Sequence, residues 1–275
     1  SIVGILNGTT NYILSQMTET GVSYANALAD AQKQGFAEAD PTNDVCGFDA
    51  ARKLAILSSI GFRANVTFDD VLVEGIEKID KSDIQYAKEM GYTIKLLTVA
   101  LRQEDGIALN VYPAFLPDNH PLSSVKGSYN AIYVTGNIVD DVMFYGRGAG
   151  ALPTASAVMG DVISTAQHIL NGSTGTGMIM TDTKRIPFYS SLKLQNSYYF
   201  RLDVDDVTGV LSQIASAFAE HEISICEVVQ KRKAKGVAEL VLITEMASRE
   251  SILHVEKALQ VLPCMRKVAN VIRVM

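Results

Sequence analysis

Four carboxylates and a lysine carry the strongest chemical signal in this sequence. Glu38, Asp40 and Asp44 crowd one short polar segment, and Asp49 and Lys53 follow it four residues apart. On a helix that spacing puts Asp49 and Lys53 on one face, where they can meet. Two readings of the group are open. One is an exposed ion pair beside a solvated loop. In the other, Lys53 adjoins Leu54-Ala55-Ile56-Leu57, so its stem is expected to start in an apolar wall. A semi-buried lysine facing carboxylates is a good proton donor or acceptor, and the nearby carboxylates would hold a substrate ammonium group.

Two glycine-containing turns come next. Gly146-Arg147-Gly148-Ala149-Gly150 leads into a helical pattern, but position 151 is Ala. The dinucleotide fingerprint Gly-x-Gly-x-x-Gly therefore fails, and spacing alone gives a tight strand-to-helix turn. Near the carboxyl end, Asp205-Asp206-Val207-Thr208-Gly209 joins a strand pattern to a helical one. Free N–H groups there suit a carboxylate and an aspartate suits an ammonium, which makes a zwitterion site; an ordinary turn has the same spacing. Other chemistries find no support. His120, His168, His221 and His254 lie far apart, and neither His-Glu-x-x-His nor Cys-x-x-Cys occurs, so no metal site is expected. No phosphate-binding Gly-x-x-x-x-Gly-Lys loop and no Gly-x-Ser-x-Gly elbow appears. The basic run Lys231-Arg232-Lys233-Ala234-Lys235-Gly236 falls between two expected strands and reads as a solvated hairpin tip.

The elements that must position these residues follow from periodicity. Residues 1–62 read as helical. Helices are expected over 9–20, stopped by Gly21; over 24–34, capped by Ser23 and ended by Gly35; and over 48–60. Pro41 keeps a helix out of the acidic loop. From residue 92 the period moves toward two, with strands expected over 93–101, 107–115, 130–135 and 139–145, then a helix over 154–170. Helices followed by strands give an α+β domain over residues 1–170. Residues 171–197, rich in Gly, Ser and Thr at their start, read as a linker or exposed arm. Residues 198–275 form a separate unit in the order βαββαβ, the ferredoxin-like arrangement. Its first strand alternates Tyr198, Phe200, Leu202 and Val204 with Tyr199, Arg201 and Asp203, which fits a half-buried strand.

The chain has 275 residues, 48% hydrophobic and 20% charged, which gives a prior of two domains and excludes disorder. A net charge of −6 argues against a nucleic-acid partner held by phosphate contacts. No apolar run approaches the roughly 20 residues of a membrane helix. Cys46, Cys226 and Cys264 are widely spaced and odd in number, which favours a reducing cytoplasm over a disulfide framework. The amino terminus, Ser1-Ile2-Val3-Gly4-Ile5-Leu6, has no Met and no charged leader, so a chain cut in mid-domain is expected.

Gly4-Ile5-Leu6-Asn7-Gly8-Thr9-Thr10-Asn11-Tyr12-Ile13, then Gly35-Phe36-Ala37-Glu38-Ala39-Asp40-Pro41, Asp44 and Gly47-Phe48-Asp49-Ala50-Ala51-Arg52-Lys53, resemble homoserine dehydrogenase in order and spacing. Gly146-Arg147-Gly148-Ala149-Gly150-Ala151-Leu152-Pro153-Thr154 matches the same family. The last unit, with Asp206-Val207-Thr208-Gly209-Val210-Leu211 after its first strand, is similar to an ACT regulatory domain. The resemblance spans almost the whole chain and leaves out an amino-terminal dinucleotide-binding domain.

The resemblance implies an NAD- or NADP-dependent interconversion of L-homoserine and L-aspartate 4-semialdehyde, in the biosynthesis of threonine, methionine and isoleucine. It implies that Lys53 transfers the proton and Asp49 aligns it, and that Glu38, Asp44, Asn7, Gly8 and Thr9 bind or border the substrate. Asp40 would join them or fix its loop, and Thr9 would border the substrate or cap a helix. Gly148 and Gly150 would pass close to the cofactor as residues 146–170 return to the nucleotide domain. Ala157, Val158, Val162 and Ile163 would then be left exposed in this chain. A second lysine and any monovalent-cation site would lie upstream. Asp206, Gly209 and Val210 would bind L-threonine as inhibitor, in a homodimer or homotetramer. Phe36 stands where family members have Tyr, and Thr208 where they often have Pro, so one hydroxyl contact and some loop rigidity are absent. The chain alone is expected to be inactive. A binding protein that senses amino acids is the alternative from another class; a dehydrogenase of another semialdehyde fits the acidic loop less well.

Overall fold

The computed structural model describes residues 1–173, 186–234 and 236–275, with residues 232–234 described in the backbone only. The chain opens with a strand, β1 (Ile2–Ile5), buried at all four positions. This corrects the expectation of helix from residue 1. A short run that is apolar at every position suits a strand covered on both faces, and such a run has no period to separate it from helix.

Asn7 then starts α1 (Gly8–Thr20), its side chain accepting from the Thr10 N–H, and Gly21 ends it in the left-handed region. Ser23 caps α2 (Tyr24–Lys33) as expected, accepting from the Asn26 N–H. The acidic segment is not all loop. It contains the single turn α3 (Thr42–Val45), which begins directly after Pro41, where a fixed φ and a missing N–H cost nothing. Gly47 follows at φ 83°, with Val73 and Val111 close around it, and α4 (Phe48–Phe62) begins.

The strand β2 (Leu72–Val73) and the helix α5 (Lys81–Glu89) have no counterpart in the sequence reading. The helix is started by a capping box in which Asp80 and Asp83 exchange bonds with each other's turn. Four long strands follow, β3 (Tyr92–Gln103), β4 (Gly106–Pro117), β5 (Tyr129–Gly136) and β6 (Asp140–Arg147). They match the expected strands to within three residues at each end. The helix α6 (Ala151–Leu170) buries none of its residues, and Leu152, Val158, Val162 and Ile163 are exposed.

Residues 174–185, in the expected linker, lie outside the described residues. The rest of that stretch is not a free arm. Pro187 and Tyr189 exchange backbone bonds with Ile107 of β4, and Leu194 is buried. The carboxyl part is β7 (Gln195–Asp205), α7 (Val210–Ala219), β8 (Ile225–Ala234), β9 (Val237–Thr244), the short β10 (Ala247–Ser248), α8 (Arg249–Gln260) and β11 (Met265–Val274). Its βαββαβ order and the strand sequence β11-β7-β9-β8 are ferredoxin-like, and Ser248 caps α8 as expected.

The strands make one mixed sheet, ordered β6-β5-β1-β3-β4-β11-β7-β9-β8. The joint is a short parallel pairing of Arg273 and Val274 with Ala114 and Phe115. The outer edge of β4 is thus covered in three pieces: Ile107 by residues 187–189, Asn110–Val111 by β2, and Ala114–Phe115 by β11. Helices α1 and α4 pack on β3 and hold one core, while α7 and α8 close a second core on the carboxyl unit.

The two parts also meet through charge. Arg201 on β7 bonds Asp83 of α5 at 2.7 Å, and Tyr199 and Asn270 add bonds to the same carboxylate at 3.1 and 2.8 Å. Tyr86 donates to Glu239 at 2.8 Å, which also lies 3.4 Å from Arg201. The first strand of the unit is therefore covered on both faces, with Tyr199 and Arg201 buried rather than solvated. Of the basic run between β8 and β9, Lys231 is exposed, pairs with Glu89 at 2.8 Å and sits over the Tyr86 ring, while the side chains of residues 232–235 lie outside the described residues.

Candidate active site

Asn7 organises the site. It ends the turn out of β1 and is 4% exposed. Its Oδ1 accepts from the Thr10 N–H at 2.8 Å. Its Nδ2 is then turned outward and donates to both Asp44, at 2.7 Å, and Asp49, at 2.9 Å. A single amide hydrogen-bonds the carboxylate of α3 and the carboxylate in the first turn of α4. One turn further along α4, Lys53 Nζ donates to Asp49 Oδ2 at 2.7 Å and to the Leu6 carbonyl at 3.2 Å. The i, i+4 meeting of Asp49 and Lys53 stands as expected.

These residues line a cleft of about 630 Å³ together with Gly8, Thr9, Phe36, Glu38, Asp40, Ser128, Asn130, Arg147, Gly148 and Gly150. Every substrate and catalytic candidate named from the sequence lines it, as do both cofactor candidates. Their local roles differ. Thr9 does not cap α1; its hydroxyl donates to the Phe36 carbonyl at 2.7 Å and ties the acidic loop to the helix start. Asp40 fixes its own loop. It accepts from the Thr42 hydroxyl at 2.6 Å and the Thr42 N–H at 3.1 Å, and these bonds hold its carboxyl below the ordinary range. Lys53 has no apolar wall about its stem. It is exposed, and Ile56 and Ile60 along the same helix are exposed with it.

Three residues escaped the sequence reading. Asn130, on β5, donates to the Leu6 carbonyl at 3.2 Å, the same oxygen that Lys53 reaches. Its Oδ1 is buried and has no hydrogen-bond partner among the described residues. Ser128 brings its carbonyl against Gly8, within 2.8 Å of where a side chain would begin. Arg147 lies over the Tyr129 ring, 4.6 Å from its centre, at the cleft's glycine-lined side. The signal for Asn130 was available: an amide inside an otherwise apolar and aromatic strand needs partners.

Gly148 lies so close to the Asn130 side chain that a Cβ there would collide with it. Glycine at this position lets backbone enter the cleft, and Gly150 precedes α6 without a side-chain cap. An uncapped helix start, a nearby guanidinium and an orphaned amide oxygen are groups that suit a phosphorylated, amide-bearing ligand. The residues present therefore fit one side of a nicotinamide nucleotide.

In the carboxyl unit, Gly209 starts α7 at φ 88°, also without a side-chain cap, so the first N–H groups of the helix lack a local side-chain acceptor. Val210 contributes backbone only, because its side chain is buried in the second core. The Asp206 N–H donates to the Gly236 carbonyl at 3.1 Å.

Fold and site define an α+β protein with an acid-and-lysine cleft and a ferredoxin-like unit joined edge to edge. Residues 1–163 match the homoserine dehydrogenase family and residues 198–264 match the ACT domain. The chain is 43% identical to the homoserine dehydrogenase of Mycobacterium tuberculosis over 282 residues, covering 99% of this chain and 64% of that one. A homoserine dehydrogenase structure from Thiobacillus denitrificans superposes with a TM-score of 0.92 at 34% identity, covering 100% of this chain and 63% of that one. A hyperthermophilic archaeal homoserine dehydrogenase mutant in complex with NADPH superposes with a TM-score of 0.50 at 28% identity, over 60% of this chain and 47% of that one. The chain belongs to the homoserine dehydrogenase family and carries an ACT domain. It spans less than two thirds of the length of these relatives. Among the described residues no helix is long and apolar enough to cross a membrane.

Proposed function

We propose that this chain is the substrate-handling and regulatory part of a cytoplasmic oxidoreductase that interconverts L-homoserine and L-aspartate 4-semialdehyde, in the biosynthesis of threonine, methionine and isoleucine. The observation that carries the reading is the Asn7-bridged group, with Lys53 held 2.7 Å from Asp49 beside Asp44 in one cleft. Homoserine presents an ammonium, a carboxylate and a hydroxyl. Glu38 and Asp44 suit the ammonium, and the N–H groups of Gly8 and Thr9 at the start of α1 suit the carboxylate. Lys53 takes the hydroxyl proton in the oxidative direction and returns it in the reductive one, while Asp49 fixes its position. Asp40 acts on the loop alone.

NAD or NADP, when bound, supplies the hydride acceptor. Gly148, Gly150 and the start of α6 would hold part of it. The remainder would fall to a nucleotide-binding domain preceding Ser1, which would also bring a second lysine and cover the apolar face of α6. In this organisation residues 1–170 handle substrate and dimerisation, 171–197 connect, and 198–275 regulate. Within the last unit, Asp206 with the N–H groups of Gly209 and Val210 would take L-threonine as feedback inhibitor, in a homodimer or homotetramer. The chain alone would be inactive.

The test uses the protein extended upstream to its natural start, with homoserine-dependent NAD(P)H formation followed by absorbance. Turnover by the parent and a loss of about 10²-fold or more in Lys53→Ala support the reading. Activity that survives Lys53→Ala removes the role of Lys53. No turnover with either nucleotide favours an amino-acid sensor.

A further inference from the structure

The Asp44 turn is held from the side opposite Asn7 by a segment that the C-terminal unit grips. After β2, the Glu74 N–H donates to the Val111 carbonyl at 2.7 Å and the Ile76 N–H donates to the Val45 carbonyl at 2.8 Å. Val45 is the neighbour of Asp44 and ends α3. Between those two bonds, Gly75 lies against Val45 and Cys46 so tightly that a Cβ would come within 2.6 Å of the Cys46 Cα. Glycine is needed here for close approach, not for its dihedral freedom.

The side chain of Glu74 points away from the cleft, toward the carboxyl unit. Its Oε1 accepts from Arg273 of β11 at 2.9 Å and lies 3.8 Å from Arg249 of α8. Arg273 is buried, packed 4.1 Å from the centre of the Tyr112 ring, and paired through its backbone with Ala114. Burial pushes the Glu74 carboxyl upward, but the charges of Arg273 and Arg249 outweigh burial and hold it below its usual range. The pair is thus a fixed point: a buried arginine locked to the sheet joint, and a carboxylate one residue from the glycine under the Asp44 turn.

We propose that Glu74 is a positioning residue, anchored by Arg273, that sets the depth of Asp44 in the cleft and so makes the C-terminal unit a determinant of affinity for an amino-alcohol substrate. The inference rests on the function proposed above for Asp44. It requires no effector, because the grip exists in the chain as folded. The route is a chain of bonded contacts, Arg273 to Glu74, Ile76 to Val45, and Asp44 to Asn7, and its meaning is energetic only if disturbing one end moves the other.

The test uses Glu74→Gln and Arg273→Met in the protein extended to its natural start, with two readouts. The first is the kinetic split: KM for homoserine is expected to rise roughly 10-fold, with KM for the nucleotide unchanged and kcat within about 2-fold. A purely structural role would lower the active fraction, and hence kcat, and leave KM alone. The second readout does not depend on turnover. The Cys46 backbone packs on Gly75 while its thiol donates to Glu77 at 3.2 Å, and its rate of maleimide labelling relative to the exposed Cys226 is expected to rise several-fold in both variants. An unchanged Cys46 rate overturns the inference, and so does a changed rate with an unchanged homoserine KM. A parent that labels as expected but never turns over homoserine overturns the functional reading, and with it the substrate role assigned to Glu74.

Discussion

Two groups of charged side chains in this molecule use the same parts to opposite ends. In the cleft, Asn7 and Lys53 face Asp44 and Asp49; at the joint between the two cores, Asn270 and Arg201 face Asp83 and Glu239. In the cleft the side chains of Lys53 and Asp49 remain 47% and 32% exposed. At the joint those of Arg201 and Asp83 are 7% and 0% exposed. The Asp83 carboxylate accepts from Arg201, Tyr199, Asn270 and the Asp80 N–H, so its acceptor sites are occupied from within the protein. Burial works against the Arg201 charge, yet Asp83 overrides it and keeps the guanidinium protonated. The cleft carboxylates keep lone pairs facing open space. A charge cluster that has satisfied itself is a fastener; one that is left wanting partners is a site.

The largest expected effect comes from breaking the fastener. Arg201→Met should cost about 3–5 kcal/mol of stability, because it leaves the Asp83 carboxylate buried without its guanidinium. Urea unfolding checks this, and a loss below about 1 kcal/mol would mean that water reaches the joint. Next in size is the cleft. Lys53→Ala, the variant proposed to slow the extended protein about 10²-fold, should move the unfolding free energy by less than about 1 kcal/mol, as befits a half-exposed pair. If it unfolds the protein instead, the contrast between the two clusters collapses.

The smallest effect sharpens the comparison with a third buried charge. Lys95 is 2% exposed and, among the described residues, bonded to the neutral oxygens of Asn11 and Val125; burial, with Lys126 nearby, pulls its pKa down to about 8. Above that pH the folded chain has released a proton that the unfolded chain keeps until about its ordinary 10.5. Stability should therefore rise with pH between those values relative to Lys95→Met, by roughly 3–5 °C in Tm per pH unit. A flat difference between the two proteins would show that Lys95 is not buried as a charge.

What the sequence made legible followed from local spacing. Asp49 and Lys53, the Gly146–Gly150 turn, the caps at Ser23 and Ser248 and the βαββαβ order are all set by neighbours a few residues apart. What it hid was set by distant cover. Arg201 alternates with Phe200 and Leu202 as a solvent-facing residue should, and nothing nearby reveals that α5 covers its face. The pattern of one strand defines two faces, not what lies upon each. Ile2–Ile5 failed for the reverse reason, since burial on both sides erases the alternation. Asn130 was visible as an amide in a strand, but its partner, the Leu6 carbonyl, lies far off in the chain and no spacing points to it.

The patchwork edge of β4 has a consequence for the order in which the molecule can be made. In chain order β2, β3 and β4 all precede the carboxyl unit, so the ribosome delivers them first. The stretch around Ala114 and Phe115 must wait until the whole carboxyl unit has been synthesised and has presented Arg273 and Val274. During that interval a bare row of N–H and C=O groups is offered to any passing strand. Translation speed through the carboxyl third, and not only final stability, would then govern how much of the nascent protein reaches its native sheet.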